Sequence, residues 1–377
     1  MPTKNRLLPR EGFCADVLMQ LVQRTALNPA LMLPLVLAAR YTARGQTLSA
    51  LHPKVAGMLT ILLVLAVTRA ASAWLSDKMR NNWVNDKYDW SKEIVLITGG
   101  AAGIGGTVVR MLDEKSITVV VLDLQPMSFT TSPRVHHFHC DIRSPEQVKA
   151  VAATVRAKIG HPTVVINNAG VFRGKSIVTA EPGDVRFTFD VNTLAPYWVT
   201  KAFLPNMIER NHGMVVTVSS IAAWLTLPRM VDYAASKAAS MAFSEGLAAE
   251  ISMLYQAPKI RVVSVQPGHT RTALFEGFQQ KDSFFAPSLE PESIAEAVVT
   301  QVLSGRSARV VLPKSTIPLA ALRAIPEWYG IRARSRFGSA AAKWRGRQVV
   351  QDVDAPPDEA GSSCKGTSES TVLVSET

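Results

Sequence analysis

Tyr233 and Lys237 stand four residues apart in the stretch Tyr233-Ala234-Ala235-Ser236-Lys237, thirteen residues after Ser220. On a helix this spacing puts both side chains on one face, where the ammonium lies beside the phenol and favours its ionised form. Such a pair moves protons. Far upstream, an apolar strand runs into Thr98-Gly99-Gly100-Ala101-Ala102-Gly103-Ile104-Gly105. Glycines that follow a strand and open a helix let backbone amides approach a pyrophosphate with no Cβ in the way. A dinucleotide cradled there can present its nicotinamide to the proton-transfer pair.

The chemistry follows from the side chains. Tyr233 as phenolate accepts the proton of an alcohol, Lys237 stabilises that phenolate, and Ser220 hydrogen-bonds the substrate oxygen as it passes between alcohol and carbonyl. The hydride goes to the nicotinamide, and the protein supplies position and proton handling. Asp123 closes the second strand, where a carboxylate accepts hydrogen bonds from the adenosine ribose hydroxyls and repels a 2′-phosphate. No Lys or Arg occupies Gly100 to Ala102 or Leu124, so NAD is expected over NADP. Taken singly, each of these residues has a plainer role: Tyr233 as an interface aromatic, Lys237 on a solvated helix face, Ser220 in a turn, Asp123 in a loop. Together at these spacings they do not.

The elements that position these groups alternate between strand and helix. Apolar runs at Ile94 to Ile97, Ile117 to Leu122, Val135 to His139, Thr163 to Ile166, Val215 to Val218 and Ile260 to Val265 read as strands, with helical segments between them. That alternation predicts an α/β fold with a Rossmann-type, doubly wound parallel sheet.

In order and spacing, Thr98-Gly99 with Gly103 and Gly105, Asp141-Ile142, Asn167-Asn168-Ala169-Gly170, Asn192, Ser220, Tyr233 with Lys237, and Pro267-Gly268 resemble the short-chain dehydrogenase/reductase family. The resemblance covers nearly the whole central block. It implies a catalytic set of Asn192, Ser220, Tyr233 and Lys237, with Asn192 supporting a water chain to Lys237. It implies a cofactor site in which Gly99, Gly103, Ile104 and Gly105 hold the phosphates and Asp123 the ribose. Asp141 and Ile142 would border the adenine, and Asn168, Ala169 and Gly170 would line the floor. Tyr233 and Lys237 would touch the cofactor too, while Pro267, Gly268, Thr270 and Thr272 would hold the nicotinamide side. The family usually has an aliphatic residue where Thr270 stands; Thr is isosteric with Val, so the backbone contact should survive. His269 reads as a polar loop residue and receives no role. The family often pairs subunits through core helices, which makes a homodimer an expectation.

Leu274, Phe275, Phe278, Phe284 and Phe285 surround a polar turn at Gln279 to Asp282, before Pro291 begins another helix. In this fold that region covers the substrate, and its apolar content, with Trp224 and Leu225 past Ser220, suggests a lipophilic alcohol or ketone. The same aromatics could instead pack a lid onto the core.

Of the 377 residues, the motifs occupy 91–313, enough for one α/β domain. Residues 1–90 carry two apolar stretches. Ala26 to Ala39 is interrupted by Pro29 and Pro34, and Val55 to Val67 continues past Arg69 to Leu75. A span needs about 20 apolar residues. The first stretch is therefore expected to be re-entrant or interfacial, and the second to span if Arg69 snorkels and Trp74 sits at the interface. A helical hairpin packed on the core is the alternative. Residues 314–350 form a basic extension in which Ile317 to Tyr329 fits an amphipathic interfacial helix, broken at Pro326, or a helix docked on the core. Residues 351–377 read as a disordered tail.

The net charge of +11 sits in the first ninety residues and between Arg323 and Arg347, beside apolar segments and on no nucleic-acid motif. That pattern points to a membrane surface and away from nucleic acid. Cys14, Cys140 and Cys364 are too scattered for a zinc site or a disulfide framework. No metal site is expected, and the catalytic domain should face the cytosol. With the lead-in Tyr88-Asp89-Trp90-Ser91-Lys92, the chain is similar to the membrane-bound branch that includes retinol and hydroxysteroid dehydrogenases of endoplasmic reticulum and lipid droplets. This resemblance implies a lipophilic substrate arriving from the bilayer. A ketoreductase of a specialised biosynthetic pathway and a lipid-surface scaffold that keeps the fold are the other readings, and the intact Asn192, Ser220, Tyr233 and Lys237 set argues against the scaffold.

Overall fold

A computed structural model describes residues 8–275, 278 and 283–342. The Gln279 to Asp282 turn, Cys364, the end of the basic run at Arg347 and the tail 351–377 lie outside the described residues. Seven parallel strands form one sheet: β1 Ile94–Thr98, β2 Thr118–Asp123, β3 Val135–His139, β4 Val164–Asn167, β5 Met214–Val218, β6 Arg261–Pro267 and β7 Ala308–Leu312, in the order β3-β2-β1-β4-β5-β6-β7.

Side chains alternate along each strand, so Leu96, Val120, Val165 and Val215 feed one core cluster while Ile97, Val121, Ile166 and Val216 feed the other. In chain order the helices are α1 Ala15–Arg24, α2 Pro29–Tyr41, α3 Ala43–Leu51, α4 Pro53–Arg80, α5 Gly103–Asp113, α6 Pro145–Lys158, α7 Pro182–Phe189, α8 Ala195–Arg210, α9 Val231–Met253, α10 Pro291–Leu303 and α11 Glu327–Ala342. Helices α6, α8 and α9 cover the first face with Val148, Phe203 and Leu247, and α5 and α10 cover the second with Val109, Leu112 and Val298. The strand order reverses between β1 and β4, and a crevice opens at that switch point, outside the carboxyl ends of the strands.

Two elements depart from the pattern read in the sequence. Strand β7 escaped it because it is an edge strand with exposed Arg309 as its second residue and Val311 as its one buried residue, which breaks the apolar run. Between α7 and α8 the chain passes through a π-helical turn, Asp190–Leu194. Such wide turns recur at functional sites, and this one carries Asn192.

The N-terminal region folds against the core at several points. Helix α4 is 28 residues long with a mean hydropathy of 1.9 in its most apolar window, only 6 % of which is buried. At ~1.5 Å per residue it reaches beyond the ~30 Å of a hydrocarbon core. Arg69, on this helix, donates to the Leu27 carbonyl at 3.2 Å. Helices α1 and α2 form a pair bent by 48°. At the foot of α4, Asp77 pairs with Arg306, and the Asn81 carbonyl accepts from buried Arg261 at 3.1 Å. In the first turn of α1, Asp16 accepts the backbone amides of Lys314 and Ser315 at 2.8 and 2.7 Å.

Pro326 does interrupt the C-terminal extension, which forms a 3₁₀ run, Lys314–Arg323, followed by α11. The 3₁₀ run docks on the core: Leu322 is buried and Leu319 packs with Ala223, Trp224 and Val311. Ile317, Trp328, Tyr329 and Ile331 stay exposed.

Candidate active site

Strand β5 ends at Val218, and Ser219 and Ser220 lead into a short 3₁₀ turn, Ile221–Ala223. The Ser220 hydroxyl accepts from the Ala222 amide at 3.1 Å and donates to the Pro267 carbonyl at 3.2 Å, which fixes it between β5 and β6. Tyr233 and Lys237 lie one turn apart on α9, both buried. Helix and strand are stitched together here: Ser219 Oγ donates to the Lys237 carbonyl at 2.7 Å, and Lys237 Nζ donates to the Val218 carbonyl at 3.0 Å.

Burial dominates the electrostatics of this pair. It pushes the Lys237 ammonium down to about 8. It pushes the Tyr233 phenol up to about 12, against the opposing pull of the Ser220 hydroxyl. Lys237 Nζ lies over the Tyr233 ring, 5.7 Å from the centroid. The chain alone therefore holds Tyr233 protonated. Phe172 and Phe275 flank the Tyr233 ring at 5.1 and 6.0 Å.

Asn192 spends its side chain on structure. Nδ2 donates to the Val171 carbonyl at 2.9 Å and to Ser236 Oγ at 3.0 Å, while Oδ1 accepts the Val171 amide at 2.8 Å. Its backbone carbonyl accepts from Ser240 Oγ at 2.6 Å. Asn192 thus stands behind Gly170, where an added Cβ would lie 3.2 Å from Lys237 Nζ and 3.4 Å from Asn192 Oδ1.

Beside these residues runs a cleft of about 390 Å³. Gly99, Gly103, Ile104, Gly105, Asp123, Asp141, Ile142, Asn168, Ala169, Gly170, Tyr233, Lys237, Pro267, Gly268, Thr270 and Thr272 all line it, together with Ser220. The glycines are needed for space and backbone angle. Gly99 has φ +67°, and a Cβ on Gly105 would meet the Gly99 carbonyl oxygen at 2.0 Å. Asn168 Nδ2 donates to the carbonyls of Thr98 and Gly99 at 3.1 and 3.0 Å, tying the loop after β4 to the glycine turn. Asp123 accepts the amides of Ala101 and Gln125 at 2.9 and 3.0 Å, so its carboxylate is aimed before any ligand arrives. Thr270 is buried and its hydroxyl turns back to the Gly268 carbonyl at 3.0 Å, so it presents backbone as a Val would. The open glycine cradle, the aimed carboxylate and the Ser–Tyr–Lys end fit a nicotinamide dinucleotide.

Arg143 also lines this cleft. It grips Asp141 in a fork, with Nη2 at 2.8 Å from Oδ2 and Nε at 3.1 Å from Oδ1. Burial raises the Asp141 carboxyl, and the bonds from Arg143 outweigh that, leaving it below the ordinary range. Arg143 follows Asp141 by two residues, a spacing at which a guanidinium can fold back on a carboxylate.

A second cavity of about 1220 Å³ opens on the other side of Ser220 and Gly268. Leu225, Phe275, Phe278, Phe284 and Phe285 line it as expected, but Leu274 faces the cofactor cleft. Trp224 turns away into the core, where its indole N–H points at Met241 Sδ at 3.1 Å. Much of the far wall comes from the C-terminal extension, including Pro318, Leu319, Leu322 and Ile325. Sequence reasoning placed that segment at the membrane surface or on the core, and not on the cavity; its alternation of Leu with Ala and Pro was the available signal.

Residues 93–283 match the short chain dehydrogenase family. The chain is 33 % identical to human short-chain dehydrogenase/reductase 3 over 71 % of its length and 91 % of that protein. It is 42 % identical to dehydrogenase RED2 of Cochliobolus heterostrophus over 54 % of this chain and 78 % of that one. Mouse epidermal retinol dehydrogenase 2 is 32 % identical, covering 56 % of this chain and 71 % of the relative. Among solved structures, a short chain dehydrogenase from Burkholderia cenocepacia in complex with NADP superposes with a TM-score of 0.56 at 27 % identity, covering 65 % of this chain and 98 % of that one. The protein is a short-chain dehydrogenase/reductase, an oxidoreductase family acting on alcohols and carbonyls with a nicotinamide cofactor, and it is similar to the retinol and hydroxysteroid dehydrogenase branch.

Proposed function

We propose that this protein is a membrane-associated dehydrogenase/reductase that interconverts a lipophilic alcohol and its carbonyl. The carrying observation is the large apolar cavity that meets Ser220 and Gly268, where the cofactor cleft also ends. A bound nicotinamide supplies the hydride chemistry. Ser220 binds the substrate oxygen, Tyr233 moves the proton at that oxygen, and Lys237 favours the phenolate electrostatically. Asn192 is a positioning residue, holding the Val171 segment and the floor at Gly170. In the cradle, Gly99, Gly103, Ile104 and Gly105 would receive the pyrophosphate, Asp123 the ribose, and Asp141 with Ile142 the adenine. Thr270 and Thr272, with Pro267 and Gly268, would meet the nicotinamide end.

Asp123 supports NAD over NADP. Arg143, a cation at the ribose end of the cleft, is already engaged by Asp141, which weakens it as a partner for a 2′-phosphate. Helix α4 supports membrane anchoring by residues 1–90, and the resemblance to retinol and hydroxysteroid dehydrogenases supports endoplasmic reticulum or lipid droplets. Free, buried Cys14 and Cys140 are consistent with a cytosol-facing domain. A specific observation favours a second reading, a ketoreductase of a biosynthetic pathway: the phenol of Tyr233, held protonated by burial, is set to donate to a ketone.

The experiment is nicotinamide turnover by detergent-solubilised full-length protein. NAD, NADP and their reduced forms are run against retinoid, sterol and long-chain alcohols and the corresponding carbonyl compounds, with Tyr233→Phe as control. Turnover that disappears in the variant supports the reading. Cofactor binding with no turnover of any pair would overturn it.

A further inference from the structure

The mouth of the large cavity is built from side chains that are apolar and exposed at once. Phe285, Trp328 and Tyr329 line the cavity, yet 61, 67 and 51 % of their surfaces stand open to solvent. Ile331, one turn along α11 from Trp328, is exposed beside them, and Phe13 adds a further open ring by packing on Phe284 at 6.1 Å between centres. Arg332, Arg334 and Arg336 follow on the same helix. Trp and Tyr beside arginines settle at the headgroup level of a bilayer, where one side of a ring is dry and the other wet and a guanidinium meets phosphate. An exposed apolar patch edged by charge marks a contact surface.

The neighbouring segment indicates what that surface meets. Residues 25–76 leave the catalytic domain and return to it. Before them, Arg10 pairs with Glu296 and Asp16 holds the Lys314 and Ser315 amides; after them, Asp77 pairs with Arg306, and Asn81 Oδ1 accepts the Ser307 amide at 2.9 Å. A chain docked on one domain at both ends cannot cross a bilayer an odd number of times. Helices α2 and α4 therefore form a hairpin, packed on each other and closed where Arg69 holds the Leu27 carbonyl. Its outer surface is apolar, with Leu33, Leu35, Leu37, Ile61, Val64 and Leu65 exposed. Helix α1 sets the distance from hairpin to cavity. Asp16 and Arg24 are about 12 Å apart along it, and Leu27 follows closely, its amide on the Val22 carbonyl at 2.8 Å. The hairpin thus leaves the domain within roughly 20 Å of Ser315, which lines the cavity.

We propose that Phe285, Trp328, Tyr329 and Ile331 dock into the lipid surface that receives the hairpin of α2 and α4, so that the cavity opens onto acyl chains and its ligand enters without passing through water. Lipid is favoured over a protein partner because the hairpin already requires an apolar medium at this distance and the arginines of α11 match anionic headgroups. The inference rests on the membrane association proposed above. It adds a second contact, independent of α4, and gives the mouth of the cavity its direction.

The test uses the full chain in mixed phosphatidylcholine and phosphatidylserine vesicles. Cys364→Ser leaves Cys14 and Cys140, both buried. One environment-sensitive fluorophore is then attached in turn at Trp328→Cys, Ile331→Cys, Leu65→Cys or Lys149→Cys, the last exposed on α6, which follows the edge strand opposite β7. A docked apolar face sinks about 5–10 Å past the headgroups, so lipid carrying a nitroxide on its acyl chain should quench the labels at 328 and 331 about twofold or more, as at 65, and spare the one at 149. Quenching at 65 alone would keep the membrane anchor and overturn the docked mouth, and quenching at none of them would overturn both. An unquenched but blue-shifted label at 328 would mean that protein covers the rim, a second copy or this chain's own residues 343–377, and would count equally against the proposal.

Discussion

Lys237 lies over the face of the Tyr233 ring, with Nζ 5.7 Å from its centre, and reaches past it to the Val218 carbonyl. The ammonium is thus held by the end of β5 and by a ring face. Burial lowers its proton affinity without any carboxylate to compensate.

That burial makes a charged Lys237 a cost to stability. Its folded value of about 8 lies below the ordinary 10.5, so the unfolded chain binds the proton more tightly between those values and stability rises with pH across that window. Lys237→Met should be more stable at neutral pH by ~1–2 kcal/mol, after allowance for the lost bond to Val218. It should lose the pH-dependent rise and fall ~10²–10⁴-fold in turnover. Thermal melts from pH 7 to 10 alongside activity assays check both halves.

The pH profile of reduction should follow the same pair. In the proposed mechanism carbonyl reduction needs a protonated Tyr233 and a charged Lys237, so its rate should hold at low pH and decline as pH passes about 8, far below the phenol at about 12. Initial rates with reduced cofactor across pH 6 to 10 measure the limb, and Lys237→Arg should carry it to higher pH.

Cofactor choice and cradle shape separate by mutation. Asp123→Ala removes the carboxylate proposed to meet the ribose and should narrow the gap between NAD and NADP, read as the ratio of kcat/KM values. Gly105→Ala sets a methyl 2.0 Å from the Gly99 carbonyl oxygen. It should abolish binding of both cofactors in titrations and cost ~1–3 kcal/mol of stability.

Far from the active site, His212 sits between Asp86 at 2.6 Å and Glu93 at 3.2 Å and joins the lead-in segment to the sheet. The bond to Glu93, with that to Asp86, raises the imidazole above its ordinary value, and burial opposes it. A base raised on folding contributes fully below its unfolded value of 6.5, and the contribution is lost as pH climbs through the folded one. His212→Gln should cost roughly 1–3 kcal/mol at pH 6 and less at pH 8.5, measured by urea unfolding at both.

The glycine turn, the Ser–Tyr–Lys set and six of the seven strands were legible in the sequence because each depends on local spacing or on a buried apolar run. Strand β7 was hidden by Arg309. The cavity wall was illegible for another reason: Leu319 and Leu322 alternate with Ala and Pro, a pattern that fits a membrane surface as well as a core, and only the tertiary fold chooses.

Asp16 caps the 3₁₀ run that carries the far wall of the cavity, and the Ala15 amide donates to the Phe284 carbonyl at 2.9 Å on the same wall. Ala15 and Asp16, which precede the long apolar helix α4, are therefore part of the cavity's frame. A soluble derivative cut before Asn81 would lose three backbone braces of that frame, so its ligand selectivity would not report on the intact protein. Residues 8–80 must be kept wherever ligand selectivity is the question.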